Sequence, residues 1–178
     1  MARLAVLLAC LCLAGCFYSD DPLIGRFQVD LPLEPGVYSH TPYDETGAPW
    51  PRPTWEGRIQ RRGGRYVSDV PDFPHNAVRL REIADGTYAA MAMSESADGR
   101  TEYGYGLVFL YPGNIATYHN PDCSALSADD RSTWSITRDE EGFCKVESWA
   151  SLEAALVLYL RDHGDNLRID GVYRRIAD

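Results

Sequence analysis

The 178-residue chain is short of the features that announce a chemistry. It has no Gly-x-Ser-x-Gly elbow, the strained turn that presents a hydrolase serine. It has no close Cys-x-x-Cys pair of the kind that structural zinc sites use. The Asp-rich spacing with a terminal Glu that wraps calcium in an EF-hand is also missing. Basic residues are outnumbered, 17 Lys+Arg against 26 Asp+Glu for a net charge of −9, so the electrostatic footprint of a nucleic-acid binder is absent. After residue 16 the longest apolar run is Ala154 to Leu160, far short of the roughly 20 residues of a membrane span. No catalytic residue, cofactor or metal is assigned from the sequence.

Four histidines, His40, His75, His119 and His163, could in principle serve as bases. A general base shows itself by geometry rather than by chain order, so structural or solvated roles are expected for all four. His163 would meet the negative end of a helix dipole, and His40 and His75 each stand near proline.

What is present concentrates at the start. Met1-Ala2-Arg3 is followed by an unbroken apolar run, Leu4 to Ala14, and then Leu13-Ala14-Gly15-Cys16 closes the segment. A charged start, a short apolar stretch and small residues at a cleavage point describe an export signal. Leu13-Ala14-Gly15-Cys16 resembles the lipobox of bacterial lipoproteins. The resemblance implies removal of residues 1–15, lipidation of Cys16 and an envelope location with the membrane as the anchor. Phe17 stands where an aspartate would imply inner-membrane retention in enteric bacteria, so the outer membrane is favoured, with the domain in the periplasm. The remaining chain carries 16 Lys+Arg against 26 Asp+Glu, a balance of −10, and is expected to be held by its lipid rather than by its surface.

Of five cysteines, Cys10 and Cys12 leave with the signal and Cys16 is the lipid site, which leaves Cys123 and Cys144. In an oxidising compartment such a pair reads as one disulfide. Residues 16–35, with Pro22, Pro32 and Pro35 and little periodicity, read as a tether. Residues 36–178 read as a single domain.

That domain is punctuated by Gly-x-Tyr at Gly36, Gly64, Gly86 and Gly171, where a turn opens onto an aromatic strand. Gly63-Gly64, Asp85-Gly86 and Pro112-Gly113-Asn114 predict three hairpins. Residues 41–55 predict a proline-rich loop, and 120–142 an acidic loop stapled by the cysteines. Ser148 as a cap and apolar residues at Leu152, Ala155, Leu156, Tyr159 and Leu160 predict a helix over about 148–163, with Gly164 as its C-terminal cap. Leu167–Asp170 and Val172–Ile176 are expected as short strands. The fold class is α+β and mostly antiparallel β: a twisted sheet or small open barrel of seven to nine strands, packed on one C-terminal helix. A late helix before a last strand resembles the calycin arrangement, which by itself implies no function.

Candidate partner or ligand surfaces are the Trp50 and Trp55 loop, the Arg58, Arg61, Arg62 and Arg65 hairpin tip, and Tyr103 and Tyr105 around Gly104. The first expectation for function is a non-catalytic protein-interaction, assembly or inhibitor module with an envelope protein partner. The alternative is a barrel that binds a small lipid or glycan in a cavity lined by Tyr88, Tyr103 and Tyr105. A hydrolase ranks third.

Overall fold

The computed structural model describes residues 17–50, 55–95 and 99–178; residues 1–16, with the expected signal and Cys16, and residues 51–54 and 96–98 lie outside the described residues. In chain order the elements are β1 (Phe17–Ser19), β2 (Gly36–Pro42), β3 (Trp55–Arg61), β4 (Tyr66–Ser68), β5 (Arg79–Ala84), β6 (Thr87–Glu95), β7 (Thr101–Tyr111), β8 (Ile115–His119), α1 (Ala128–Thr133), β9 (Thr137–Arg138), β10 (Cys144–Lys145), α2 (Trp149–His163) and β11 (Gly171–Ala177). The architecture is α+β, one open sheet of eleven strands with one principal helix. All pairings are antiparallel except β1 with β10.

The three expected hairpins form at β3–β4, β5–β6 and β7–β8. The central run is β4-β3-β2-β11-β8-β7-β6-β5, and it curls until its outer strands meet at a single bridge, Tyr66 with Val78. Among the described residues only that bridge spans the seam between β4 and β5. The β11 strand enters after α2 and lies between β2 and β8.

Curling buries both faces of the middle strands. On the outer face Ala89 and Met91 of β6 and Tyr105 and Leu107 of β7 pack under α2, through Leu152, Ala155 and Leu156. On the inner face Tyr88 and Ala90 of β6 and Val108 of β7 join Tyr38, Ile59, Tyr66, Leu80 and Tyr118. Successive strand residues point to opposite faces, so a run buried throughout, as in Thr87–Ala92, means that both sides are covered. The α2 helix starts at its expected cap: Ser148 Oγ accepts from the Ser151 amide at 3.1 Å.

Three expectations give way. Residues 17–35 are not a tether: Phe17 and Ile24 are fully buried, β1 pairs with both β7 and β10, and Asp30 pairs with Leu80. Charged and proline residues interrupt this stretch and leave it without periodicity, but Phe17, Leu23, Ile24 and Val29 cover the outer face of β6 and β7 and are held there by burial rather than by local pattern. Leu167–Asp170 form no strand; the Asp170 carboxylate instead accepts from the Asn120 amide at 2.7 Å and pairs with Arg168. The cap gives way only in form: Gly164 caps α2 as expected, its amide donating to the Leu160 carbonyl, but its φ of −52° is right-handed and continues the chain into a short 3-10 turn.

The acidic stretch is stapled as expected. Cys123 and Cys144 are bonded, with Cα atoms 5.7 Å apart, and both are fully buried. Asp129 and Asp130 occupy the first turn of α1, where carboxylates meet the positive end of the helix.

Candidate functional site

The inner face leaves a space. A partly open pocket of about 60 Å³ lies between the curled strands, walled almost wholly by carbon. Its walls come from Tyr38, Ile59 and Ala90 on one side and from Val108, Ala116 and Tyr118 on the other. Folded interiors seldom keep voids much larger than a water molecule, and apolar voids stay dry.

One end of the cavity is closed by the loop that follows β4. Phe73 is buried against Tyr173, with ring centroids 6.1 Å apart, and His75 stacks on Tyr118 at 4.0 Å. His75 and Ala77 both take positive φ, 57° and 63°. Non-glycine residues hold such values at a cost of order 1–3 kcal/mol each, and such strain gathers at functional positions. The loop is tied by Asn76, whose Oδ1 accepts from the Ser68 amide at 2.9 Å. This loop lies over the weakest seam of the sheet, between β4 and β5.

Around the cavity the polar atoms serve one another. Tyr38 donates to the Glu34 carbonyl at 2.7 Å, Tyr66 donates to the Leu33 carbonyl at 3.1 Å, and Tyr118 donates to Asn120 Oδ1 at 2.7 Å. The Tyr173 hydroxyl and His75 Nδ1 share a hydrogen bond. Burial pushes the Tyr38 and Tyr66 phenols up to about 12, and raises Tyr173 well above the ordinary tyrosine value. Tyr38, Tyr66 and Tyr173 therefore keep their protons near neutrality.

His40 is the exception. It projects from β2 onto the same inner face as Tyr38, is 4 % exposed, and neither ring nitrogen has a hydrogen-bond partner. Its ring lies 4.4 Å from that of Tyr173 and 6.1 Å from that of His75. Burial lowers its pKa to about 4. His75 is lowered to about 3, by burial first and by His40 second. Both imidazoles are neutral at pH 7. Two glycines make room for these rings. A Cβ on Gly171 would lie 2.4 Å from His40 Nε2, and one on Gly106 would lie 2.5 Å from the Tyr118 ring.

The other histidines are structural or surface groups. His119 Nδ1 lies 2.7 Å from the Arg168 carbonyl, which can only accept, so this nitrogen carries the proton and Nε2 accepts from Thr117 at 2.8 Å. His163 ends α2 on the surface, its ring 5.0 Å from that of Tyr159. Among the described residues no group of three or more His, Cys, Asp or Glu side chains is placed to hold a metal ion.

The residues singled out in the sequence scatter over the molecule. Trp50 is 39 % exposed, whereas Trp55 is half-buried with its ring 5.8 Å from that of His40. Arg58, Arg61, Arg62 and Arg65 are exposed on and around the β3–β4 turn, and Arg61 donates to the Leu33 carbonyl. Tyr103 and Tyr105 do not line the cavity. Tyr105 is fully buried on the outer face, bonded to Ser19 and to the Leu23 amide, and Tyr103 packs beside it. Strand alternation explains the difference: Tyr88 and Val108 face inward, so Tyr105, three residues before Val108, faces out. Of the three expected lining tyrosines, Tyr88 alone belongs to the inner cluster, and it too lies outside the cavity wall.

The inner-face tyrosines Tyr38, Tyr66, Tyr118 and Tyr173 and the two buried histidines were not singled out as a site. For His40 a signal existed, since it falls two residues after Tyr38 in a strand of alternating burial. For His75, in a proline-rich loop, there was none. Searches of family models, of curated proteins and of solved structures found no match to this chain.

Proposed function

We propose that the protein is a lipid-anchored component of a bacterial envelope, attached through Cys16, whose domain holds a small apolar ligand in the inner-face cavity. The lipobox resemblance of Leu13-Ala14-Gly15-Cys16 supports the anchor. The observation that carries the ligand reading is the apolar cavity beneath a loop with two strained residues. Its hydroxyls are already engaged with the protein, so recognition rests on shape and dispersion rather than on hydrogen bonds. Ligand sites commonly measure 300–1,000 Å³. At about 60 Å³ the space as it stands suits a compact group, such as an aromatic ring or the branched end of an acyl chain. A longer ligand enters by displacing Phe73 and His75 at the β4–β5 seam.

The test begins with the protein purified from its own membranes. Its intact mass reports whether Cys16 carries lipid. Organic extraction followed by mass spectrometry then reports the bound ligand. The expected result is one apolar species near equimolar ratio, absent from an Ala116→Leu variant in which the cavity is filled. An empty wild-type protein that also fails to take up small apolar probes would defeat the ligand reading and leave the anchor reading standing.

A further inference from the structure

The acidic surface has one strongly basic corner. The Gly63-Gly64 turn brings Arg62 and Arg65 against the segment around Arg26: a Cβ on Gly64 would lie 2.9 Å from the Arg26 carbonyl oxygen and 3.1 Å from Val29. Arg79 reaches the same segment by donating to the Ile24 carbonyl at 2.6 Å. Arg65 and Arg26 both lower the pKa of Arg79, after burial, and no carboxylate is among the groups acting on it. Lys145, Arg161, Arg168 and Arg175 each sit in an ion pair, whereas Arg58, Arg61, Arg81, Arg131, Arg138 and Arg174 stand without one among the described residues. Among the described residues Arg26, Arg62, Arg65 and Arg79 have no such pair.

At this corner stands Phe27, 88 % exposed and the most exposed large apolar side chain among the described residues, with the Arg26 guanidinium 4.7 Å from its ring centre. A bare aromatic amid arginines suits an interface that offers anions and hydrocarbon together, as an anionic bilayer does. Arginine forks match phosphate oxygens, and every basic residue of the domain but Lys145 is arginine.

The sheet also fixes where this corner lies relative to the lipid site. Phe17, Tyr105, Met91 and Arg79 form one rung across β1, β7, β6 and β5. Three strand spacings separate Phe17 from Arg79, about 14 Å. Phe17 is fully buried and paired, so a lipid on the adjacent Cys16 would be joined to the sheet with no slack.

We infer that the Arg26, Phe27, Arg62, Arg65 and Arg79 corner is a docking surface for anionic phospholipid headgroups, holding the domain flat on the bilayer. The inference rests on the anchor reading for its setting, but the corner is testable without it. Protein purified from its own envelope is placed in nanodiscs of phosphatidylcholine alone or with phosphatidylglycerol, and amide exchange is followed along the chain. Residues 25–28 and 62–65 should exchange more slowly only with phosphatidylglycerol, and the protection should vanish in high salt. Arg62→Ala with Arg65→Ala should abolish it without altering exchange in β6 and β7. Equal exchange in both lipids would overturn the proposal, as would equal protection by inorganic phosphate alone, which would mark a small-anion site instead. If the intact mass shows Cys16 unmodified, the same protein is tested by co-sedimentation with phosphatidylglycerol vesicles. Each arginine removed should then weaken binding roughly fivefold, and an absence of binding would overturn the docking surface on its own.

Discussion

The two faces of β6 and β7 are built from the same strands and end differently. The outer face is finished. Phe17, Ile24, Tyr105, Leu107, Leu152 and Leu156 are each fully buried, and the Cys123–Cys144 bond pins the acidic segment against them. The Tyr105 hydroxyl buried there has two partners, Ser19 and the Leu23 amide. The inner face keeps a void, a buried histidine with two orphaned nitrogens and a closing loop with two strained residues. An unpartnered buried polar group costs about 1–3 kcal/mol, and the outer face carries that burden at Arg79, Arg81 and Trp149, the last two stacked on each other. What sets the inner side apart is the void and the strained loop beside it. Such a division is what a binding side and a supporting side would produce.

Changes to the supporting side should have the largest effects. Leu156→Ala removes a fully buried side chain beneath α2 and should lower unfolding stability by about 4 kcal/mol in a denaturant titration. Replacing Cys123 and Cys144 by serine opens a loop of sequence separation 21 and should cost about 3 kcal/mol, with the remaining sheet still folded.

Acid should act through the inner face. His40 and His75 have folded pKa values of about 4 and 3, below the ordinary histidine value near 6.5. Below pH 6.5 the unfolded chain therefore binds more protons than the folded one. Stability from these groups is full above pH 6.5 and falls as the pH drops toward 4 and then 3. His40 alone should contribute a loss of about 3 kcal/mol over that window. A His40→Phe variant should show a shallower acid limb in urea midpoints measured from pH 7 to 4, and an unchanged limb would remove His40 from the account.

Gly106→Ala forces a methyl group against the Tyr118 ring and should cost about 2 kcal/mol while displacing the His75 stack, visible as faster exchange at residues 73–77. The smallest expected effect on stability is the most informative for function. Ala116→Leu fills the cavity from β8 and should change stability by about 1 kcal/mol or less while removing ligand uptake. A large loss of stability would mean that the inner face is as tightly packed as the outer one.

The hairpins were legible because Gly63-Gly64, Asp85-Gly86 and Pro112-Gly113-Asn114 are turn chemistry that acts locally. The α2 helix was legible from a capping serine and an apolar stripe, and the disulfide from compartment and arithmetic. What the chain does not write locally is which face of a strand the curl encloses. Tyr103-Gly104-Tyr105 and Tyr118 look alike in sequence, yet the first set supports α2 and Tyr118 walls the cavity. Phe17 and Ile24 failed to stand out for the same reason: isolated apolar residues among acids and prolines gain their value only from a surface assembled by distant strands. The His75 loop carries no periodicity at all, and its place beside Tyr118 and Tyr173 is a product of the seam between β4 and β5.

The central claim is that the inner-face cavity takes an apolar ligand behind that loop. The most direct test is a titration of the protein with benzene followed by amide NMR, alongside the Ala116→Leu variant. The account predicts saturable shifts confined to Ala90, Val108, Ala116 and residues 73–78, and none in the variant. A folded wild-type protein whose cavity amides do not move, or a variant that responds equally, would contradict it.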